Sequence, residues 1–371
     1  MQYKLPKVSV IILSYRNYEV IYDAINSTLN QDYNNIELII SNDNSDDFDI
    51  DELSNFFDGY RDKFPNISNV IINKNEKNLG TVKHVNKLVQ MSSGEYFKLL
   101  AADDLFITDD AISQYVSYME NNNDAYFVVA QSAAYSNDLK QFLRYIPSDE
   151  QMKLLSTTTA QEQFHILAKD CIINAPAVFF ARKYIDKFGY FDDKYFFADD
   201  WPAWISFTRN GNKIFVLDRP LVVYRFGGIS NTNVYNTDNI ASLVLDEYFE
   251  IMRNESIAYS KQLGWKDTYT CRRLCMEYEL SKNKYHLKTI IKNLDLYIID
   301  KANYVRKNNK LKWLLLLFCI ALMSICSIFV NSINNSAILN AIIDLIYLIS
   351  ELFLWVLALF YVVCFVVDFS K

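Results

Sequence analysis

The stretch that most constrains this chain is "PKVSVIILSYRN", residues 6–17. Its run "VSVIIL" (8–13) is apolar, rich in β-branched side chains, and stops at a polar turn, "SYRN" (14–17). A short continuous run of this kind reads as a strand buried on both faces. The unit then repeats. "EVIYDAINSTLNQ" (19–31) sets Val20, Ile21, Ala24, Ile25, Thr28 and Leu29 at helical spacing, and "IELII" (36–40) is a second buried strand. "VIIN" (70–73) comes after an irregular acidic stretch, and "TVKHVNKLVQM" (81–91) carries Val82, Val85, Leu88 and Val89 on one helical face. "YFKLL" (96–100) is a fourth strand. Such alternation predicts an α/β fold, Rossmann-like, with a mostly parallel sheet flanked by helices.

In sheets of this kind ligands bind beyond the carboxyl ends of the strands. The polar clusters fall there: "SYRN" after the first strand, "SNDNSDD" (41–47) after the second and "AADD" (101–104) after the fourth. Read as one site, they suit a nucleotide. Tyr15 offers an aromatic face to a base, and Asn42 and Asp43 can accept hydrogen bonds from its N–H groups. Asp103 and Asp104 suit a ribose hydroxyl and a hard divalent cation, since Mg²⁺ is typically held by one or two carboxylates plus phosphate oxygens. Helix capping is the plain alternative for that pair, although Asp109 stands closer to the helix at "DDAISQYV".

A second Ala-Asp-Asp occurs in "YFFADDWPAWISF" (195–207). Pro202 marks the first turn of a helix there, so capping accounts for one carboxylate. A carboxylate at a helix start among Phe196, Phe197, Trp201 and Trp204 is also placed to act as a general base: apolar surroundings favour its neutral form, the helix N-terminus its ionised form.

Composition removes other classes. A net charge of −7 argues against a nucleic-acid partner. His84, His165 and His286 do not cluster, and the six cysteines form no CxxC pair, so neither a His-based metal site nor a disulfide framework is expected. After about residue 235 the pattern changes to mixed-charge helical segments (236–310). Residues 311–371 change class again, with uncharged "WLLLLFCIALMSICSIFV" (313–330) and a second apolar stretch over 345–367 that contains Glu351. At 1.5 Å per residue the first spans roughly 27 Å, close to a bilayer core. These predict a transmembrane hairpin. Lys301, Arg306, Lys307, Lys310 and Lys312 then place residues 1–235 on the cytoplasmic side of a plasma or inner membrane. The membrane helices also offer a route to a homo-oligomer.

Together, "PKVSVIILSYRN", "IELIISNDNSDD", "NEKNLGTVKHVNKLVQMSSGEYFKLLAADD" and "GYFDDKYFFADDWPAWISFTRNG" resemble the family 2 glycosyltransferases of the GT-A fold over residues 6–230. The resemblance implies a nucleotide-sugar donor, Mg²⁺ or Mn²⁺, and inversion at the anomeric carbon. It places Tyr15 and Asp43 on the base, Asp103 and Asp104 in the acidic motif with Asp104 as metal ligand, and Asp200 as general base with Asp199 beside it. Asn78 and Gly80 match an "NxG" turn and Gly94-Glu95-Tyr96 a "GEY" lead-in. Two departures stand out: Ala101 replaces a frequent Asp, and "VYRFGGIS" (223–230) lacks a frequent His, leaving Arg225 to face a phosphate or form a salt bridge. The implied reaction moves a sugar, UDP-linked by default, to a hydroxyl of a lipid-linked saccharide in surface polysaccharide synthesis. A polyprenyl-phosphate sugar synthase and a non-catalytic membrane-anchored scaffold remain alternatives.

Overall fold

In a computed structural model that describes residues 5–227 and 239–282, with positions 293 and 296, the alternating pattern forms one nine-stranded sheet. The first half runs β1 (Val8–Ser14), α1 (Ile21–Leu29), β2 (Ile36–Asn42), α2 (Ile50–Phe56), α3 (Tyr60–Lys63), β3 (Ile67–Lys74), α4 (Thr81–Met91) and β4 (Tyr96–Ala101). Next come β5 (Leu105–Phe106), α5 (Ala111–Asn121), β6 (Phe127–Tyr135), β7 (Phe142–Ile146), α6 (Asp149–Thr157), α7 (Ala160–Leu167), β8 (Val178–Ala181) and α8 (Lys183–Phe188). The last described elements are α9 (Asp200–Arg209), β9 (Phe215–Arg225), α10 (Asn239–Ile251) and α11 (Ser260–Lys282), the last broken at Gly264 (φ 75°).

The strand order is β3-β2-β1-β4-β8-β6-β9-β5, with β7 paired to β6. The pairings set β1, β2, β3, β4, β6 and β9 in one direction, with β5, β7 and β8 against it. The carboxyl ends of six strands therefore share one edge. The β-branched run holds the centre: Val8, Val10, Ile11 and Ile12 on β1 and Leu38, Ile39 and Ile40 on β2 are fully buried. Gly94 is fixed by crowding, because a Cβ there would sit 2.5 Å from the Tyr96 carbonyl oxygen and 2.6 Å from the Ser9 amide nitrogen.

Several expectations change. The acidic stretch between the second and third strands holds α2 and α3 rather than irregular chain; α2 is capped by Asp49, whose side chain accepts the Glu52 amide. Asp109 does not cap α5: Asp110 occupies the cap position, and its side chain makes no capping bond. Among the described residues no helix is long and apolar enough to cross a membrane. The multi-pass membrane placement expected from the sequence is therefore not supported. Both stretches on which it rested, 313–330 and 345–367 with Glu351, lie outside the described residues, as do 236–238 and, apart from 293 and 296, 283–310 of the expected helical segment. Contacts divide the chain into two units, residues 1–271 and 272–371, and both acidic pairs belong to the first.

Candidate active site

Backbone hydrogen bonds stitch the polar turns into one rim. The Asp43 amide donates to the Ser14 carbonyl (2.9 Å), the Ala102 amide to the Leu13 carbonyl (2.8 Å) and the Asn75 amide to the Asn42 carbonyl (2.9 Å). Neighbouring parallel strands end in step, so their turns meet. Tyr15 is half-buried on this rim, and the Arg16 guanidinium lies 5.0 Å from its ring centroid.

Asn42 and Asp43 are more committed than their residue types suggest. The Asn42 amide group donates to Ser45 Oγ (2.7 Å) and its oxygen accepts the Ser45 amide (2.7 Å), so its polar atoms already hold the turn. The buried Asp43 carboxylate accepts from Asn75 Nδ2 (2.8 Å) and from the Leu79 and Gly80 amides (both 2.9 Å at the shorter oxygen). It thereby anchors the "NxG" turn. Gly80 (φ 80°) is needed there for a further reason: a Cβ would meet the Phe196 ring at 2.5 Å.

At the end of β4, Asp103 is half-buried and Asp104 is 1% exposed. Burial raises the Asp103 carboxyl above its ordinary range. Burial, then the neighbouring Asp103 charge, raises Asp104 much further. Asp104 Oδ1 accepts the Arg225 amide (3.1 Å), and its Oδ2 is buried without a hydrogen-bond partner. An orphaned carboxylate oxygen is costly unless something compensates it. A divalent cation carried in on a diphosphate is a fitting compensation, since such ions take few carboxylates and complete their shell with phosphate and water oxygens. No group of three or more His, Cys, Asp or Glu that could form a closed cage is present among the described residues. Asp104, with Asp103 beside it, therefore suits a metal–diphosphate complex.

Of the two roles the sequence left open for Arg225, the salt bridge is present: its guanidinium pairs with Asp23, whose side chain is 49% exposed. Arg225 is 7% exposed, and its guanidinium donates to the Asp103 carbonyl (3.0 Å), to the Asn137 carbonyl (2.8 Å) and to the Asp23 carboxylate. With its donors taken up inside the protein, it braces the acidic turn. Lys98, fully buried on β4, is a second brace. Its ammonium donates to the Leu99 carbonyl (2.8 Å) and to the Pro176 carbonyl; burial pushes its pKa down to about 7, against the pull of Asp104.

The second pair opens α9. Asp199 holds the cap position with no side-chain capping bond, so capping does not explain it. It is buried, and desolvation, with the adjacent Asp200 charge second, raises its carboxyl well above the ordinary range. Asp200 is half-buried; desolvation raises it too, opposed by hydrogen bonds from the Trp201 and Ala175 amides, the first at 2.6 Å to Oδ1. Two adjacent carboxyl groups with unequal burial divide their protonation: Asp199 keeps the proton longer, and Asp200 is the one that ionises. Ala175 lies beside the second pair, where its amide favours the ionised Asp200, and the next residue, Pro176, accepts from Lys98 on β4.

Two residues here went unnoticed in the sequence. Lys98 had a visible signal, a lone cation inside the apolar run "YFKLL". Glu247 on α10 had none: its carboxylate accepts the amides of Phe196 (2.6 Å), Phe197 (2.8 Å) and Ala198 (2.8 Å), the three residues before the second pair.

A sheet whose acidic turns gather at one carboxyl edge, joined to a helix that opens on a second acidic pair, defines an α/β glycosyltransferase fold of the GT-A kind. Residues 9–187 match the glycosyl transferase family 2 model, so the chain carries a family 2 glycosyltransferase domain. An uncharacterized glycosyltransferase from Haemophilus influenzae is 26% identical over 311 residues, covering 82% of this chain and 84% of that protein. The Escherichia coli UDP-Glc:alpha-D-GlcNAc-diphosphoundecaprenol beta-1,3-glucosyltransferase WfaP is 25% identical over 299 residues, covering 80% of this chain and 98% of that protein. Among solved structures, the mannosyltransferase PcManGT from Pyrobaculum calidifontis, in complex with GDP-Man and Mn2+, superposes with a TM-score of 0.50 at 14% identity. That likeness covers 87% of this chain and 81% of that one and concerns the fold alone.

Proposed function

We propose that the chain transfers a sugar from a nucleotide-diphosphate sugar, UDP-linked by default, to a hydroxyl of a lipid-linked saccharide, with inversion at the anomeric carbon. The observation that carries this reading is the unequal setting of the two acidic pairs: Asp104 ends β4 with a buried, unpartnered Oδ2, whereas Asp200 opens α9 half-buried and holding the Trp201 amide. On the donor side, Tyr15 and the turn anchored by Asp43 frame the base, and Asp103 borders the ribose. Asp104 would hold Mg²⁺ or Mn²⁺, which when bound neutralises charge on the departing diphosphate. On the acceptor side, Asp200 takes the proton of the attacking hydroxyl. The hydroxyl oxygen bonds to the anomeric carbon as the bond from that carbon to the diphosphate oxygen breaks. The nucleoside diphosphate leaves, and the proton stays on Asp200. The name of WfaP supports both a UDP donor and a diphospholipid-linked acceptor.

The test is direct. The purified protein is incubated with UDP- and GDP-sugars, Mn²⁺ or Mg²⁺, and a short-chain polyprenyl-diphosphate monosaccharide, and the product's anomeric configuration is read by NMR. Transfer with inversion is expected; a product that keeps the donor configuration would rule out the single displacement.

The electrostatics give a pH signature. Desolvation raises the Asp200 carboxyl above its ordinary value of about 4. A base works only when ionised, so turnover is full above the raised value and is lost as pH falls through it. The acid limb of kcat should therefore have its midpoint clearly above pH ~4. A midpoint at that ordinary value would mean the working carboxylate is not this buried one.

A further inference from the structure

Ahead of the second acidic pair, three consecutive amides, those of Phe196, Phe197 and Ala198, converge on one carboxylate, Glu247. Successive N–H groups in a turn form a concave anion site. Here it is filled from within the chain by α10. The next residue on that helix, Tyr248, stacks on Trp201 with ring centroids 4.3 Å apart and planes 25° from parallel. Adjacent α10 side chains thus grip the chain immediately before Asp199 and immediately after Asp200. The same loop also meets the donor side. The Phe196 ring fills the space that a Gly80 side chain would need, and the Phe196 carbonyl accepts the Val82 amide (3.4 Å). A second acid, Glu255, holds the loop's start: it accepts from Lys194 (2.7 Å) and from Tyr195 Oη (3.1 Å), and it pairs with Arg209 at the far end of α9 (3.1 Å).

We infer that Glu247 is a positioning residue for the transfer, fixing the backbone of 196–198, whose Phe196 packs on the Gly80 turn, so that Asp200 is held at its working angle. The inference rests on the reading of Asp200 as base. Glu247 spends its carboxylate on the protein: it fills the orphan amides of a loop that has no strand or helix of its own to satisfy them. Without that carboxylate the loop keeps its covalent length but loses three charge-assisted hydrogen bonds. A base displaced by about 1 Å costs roughly 10²-fold in rate.

The experiment compares Glu247→Ala, Glu247→Gln and, as a control on an exposed position of the same helix, Glu250→Gln. Steady-state kcat and KM are measured with donor and lipid-linked acceptor, and UDP affinity is measured by calorimetry. Glu247→Ala should lower kcat by about 10–100-fold with UDP affinity within about threefold of wild type. Glu247→Gln keeps a carbonyl oxygen for two of the three amides and should lose only roughly three- to tenfold in kcat. Glu250→Gln should behave as wild type. If Glu247→Ala does not fold, Glu247→Gln decides alone. A Glu247→Gln enzyme with the kcat of Glu250→Gln, or a loss confined to UDP affinity, overturns the inference. Asp200→Asn separates the two claims: if it retains turnover, the base assignment fails; if it loses turnover while Glu247→Gln keeps it, only the role of Glu247 fails.

Discussion

Asp200→Asn is expected to lower turnover by about 10²–10⁴-fold, the usual share of a general base, with nucleotide affinity and melting temperature close to wild type. The asparagine keeps the shape of the side chain and an oxygen for the Trp201 amide, which now bonds Oδ1 at 2.6 Å. It cannot take a proton. Asp199 is no substitute, because burial and the adjacent charge hold its carboxyl protonated further up the pH scale, and it is buried where Asp200 is half-open. Replacing Asp200 also removes the charge that raises Asp199. Desolvation, the larger cause, still raises Asp199, so any residual activity that it supports should keep an acid limb above the ordinary carboxylate range. Rates and pH profiles of the two proteins, measured at saturating donor, check the point.

The second large effect belongs to the first pair. Asp104→Asn should remove the gain in nucleotide affinity that Mn²⁺ or Mg²⁺ confers, about 100-fold or more if the lost charge contributes the several kcal/mol usual for metal-assisted charge stabilisation. The fold should not suffer. Asp104 Oδ2 is a buried carboxylate oxygen without a partner, so deleting the charge relieves a desolvation cost rather than breaking an ion pair. The other oxygen's bond from the Arg225 amide survives in asparagine. Affinity and stability should thus move apart, which a merely structural aspartate would not allow. Calorimetry of UDP binding with and without the cation, beside a thermal melt without either, separates the two.

Much of the frame was legible because its strands are of the simplest kind. "VSVIIL", "IELII" and "YFKLL" are buried on both faces, and each observed strand extends the apolar run only at its polar carboxyl end, to Ser14, Asn42 and Ala101. Helix α4 keeps to the spacing of Val82, Val85, Leu88 and Val89, all buried. Helices α2 and α3 are short and lie in an acidic stretch, with Leu53 the one fully buried residue of α2 and none in α3, so the Asp-rich composition masked them although Phe56 and Tyr60 pack against the core. The acidic pairs were visible as residue types at strand and helix ends. What they touch was not, since Arg225 reaches Asp23 across 202 positions and Glu247 reaches Phe196 across 51. Charge type alone left Arg225 between a phosphate and a salt bridge; only the structure names its partners, the Asp23 carboxylate and the Asp103 and Asn137 carbonyls.

The central claim is that two similar Ala-Asp-Asp triplets do different work, the first on the donor and the second on the acceptor. It is tested most directly by one calorimetric titration run in parallel on Asp104→Asn and Asp200→Asn, with UDP in the presence of Mn²⁺. The account predicts wild-type affinity for Asp200→Asn and a loss of about 100-fold or more for Asp104→Asn. Equal affinities in the two variants, or the loss appearing in Asp200→Asn instead, would contradict it.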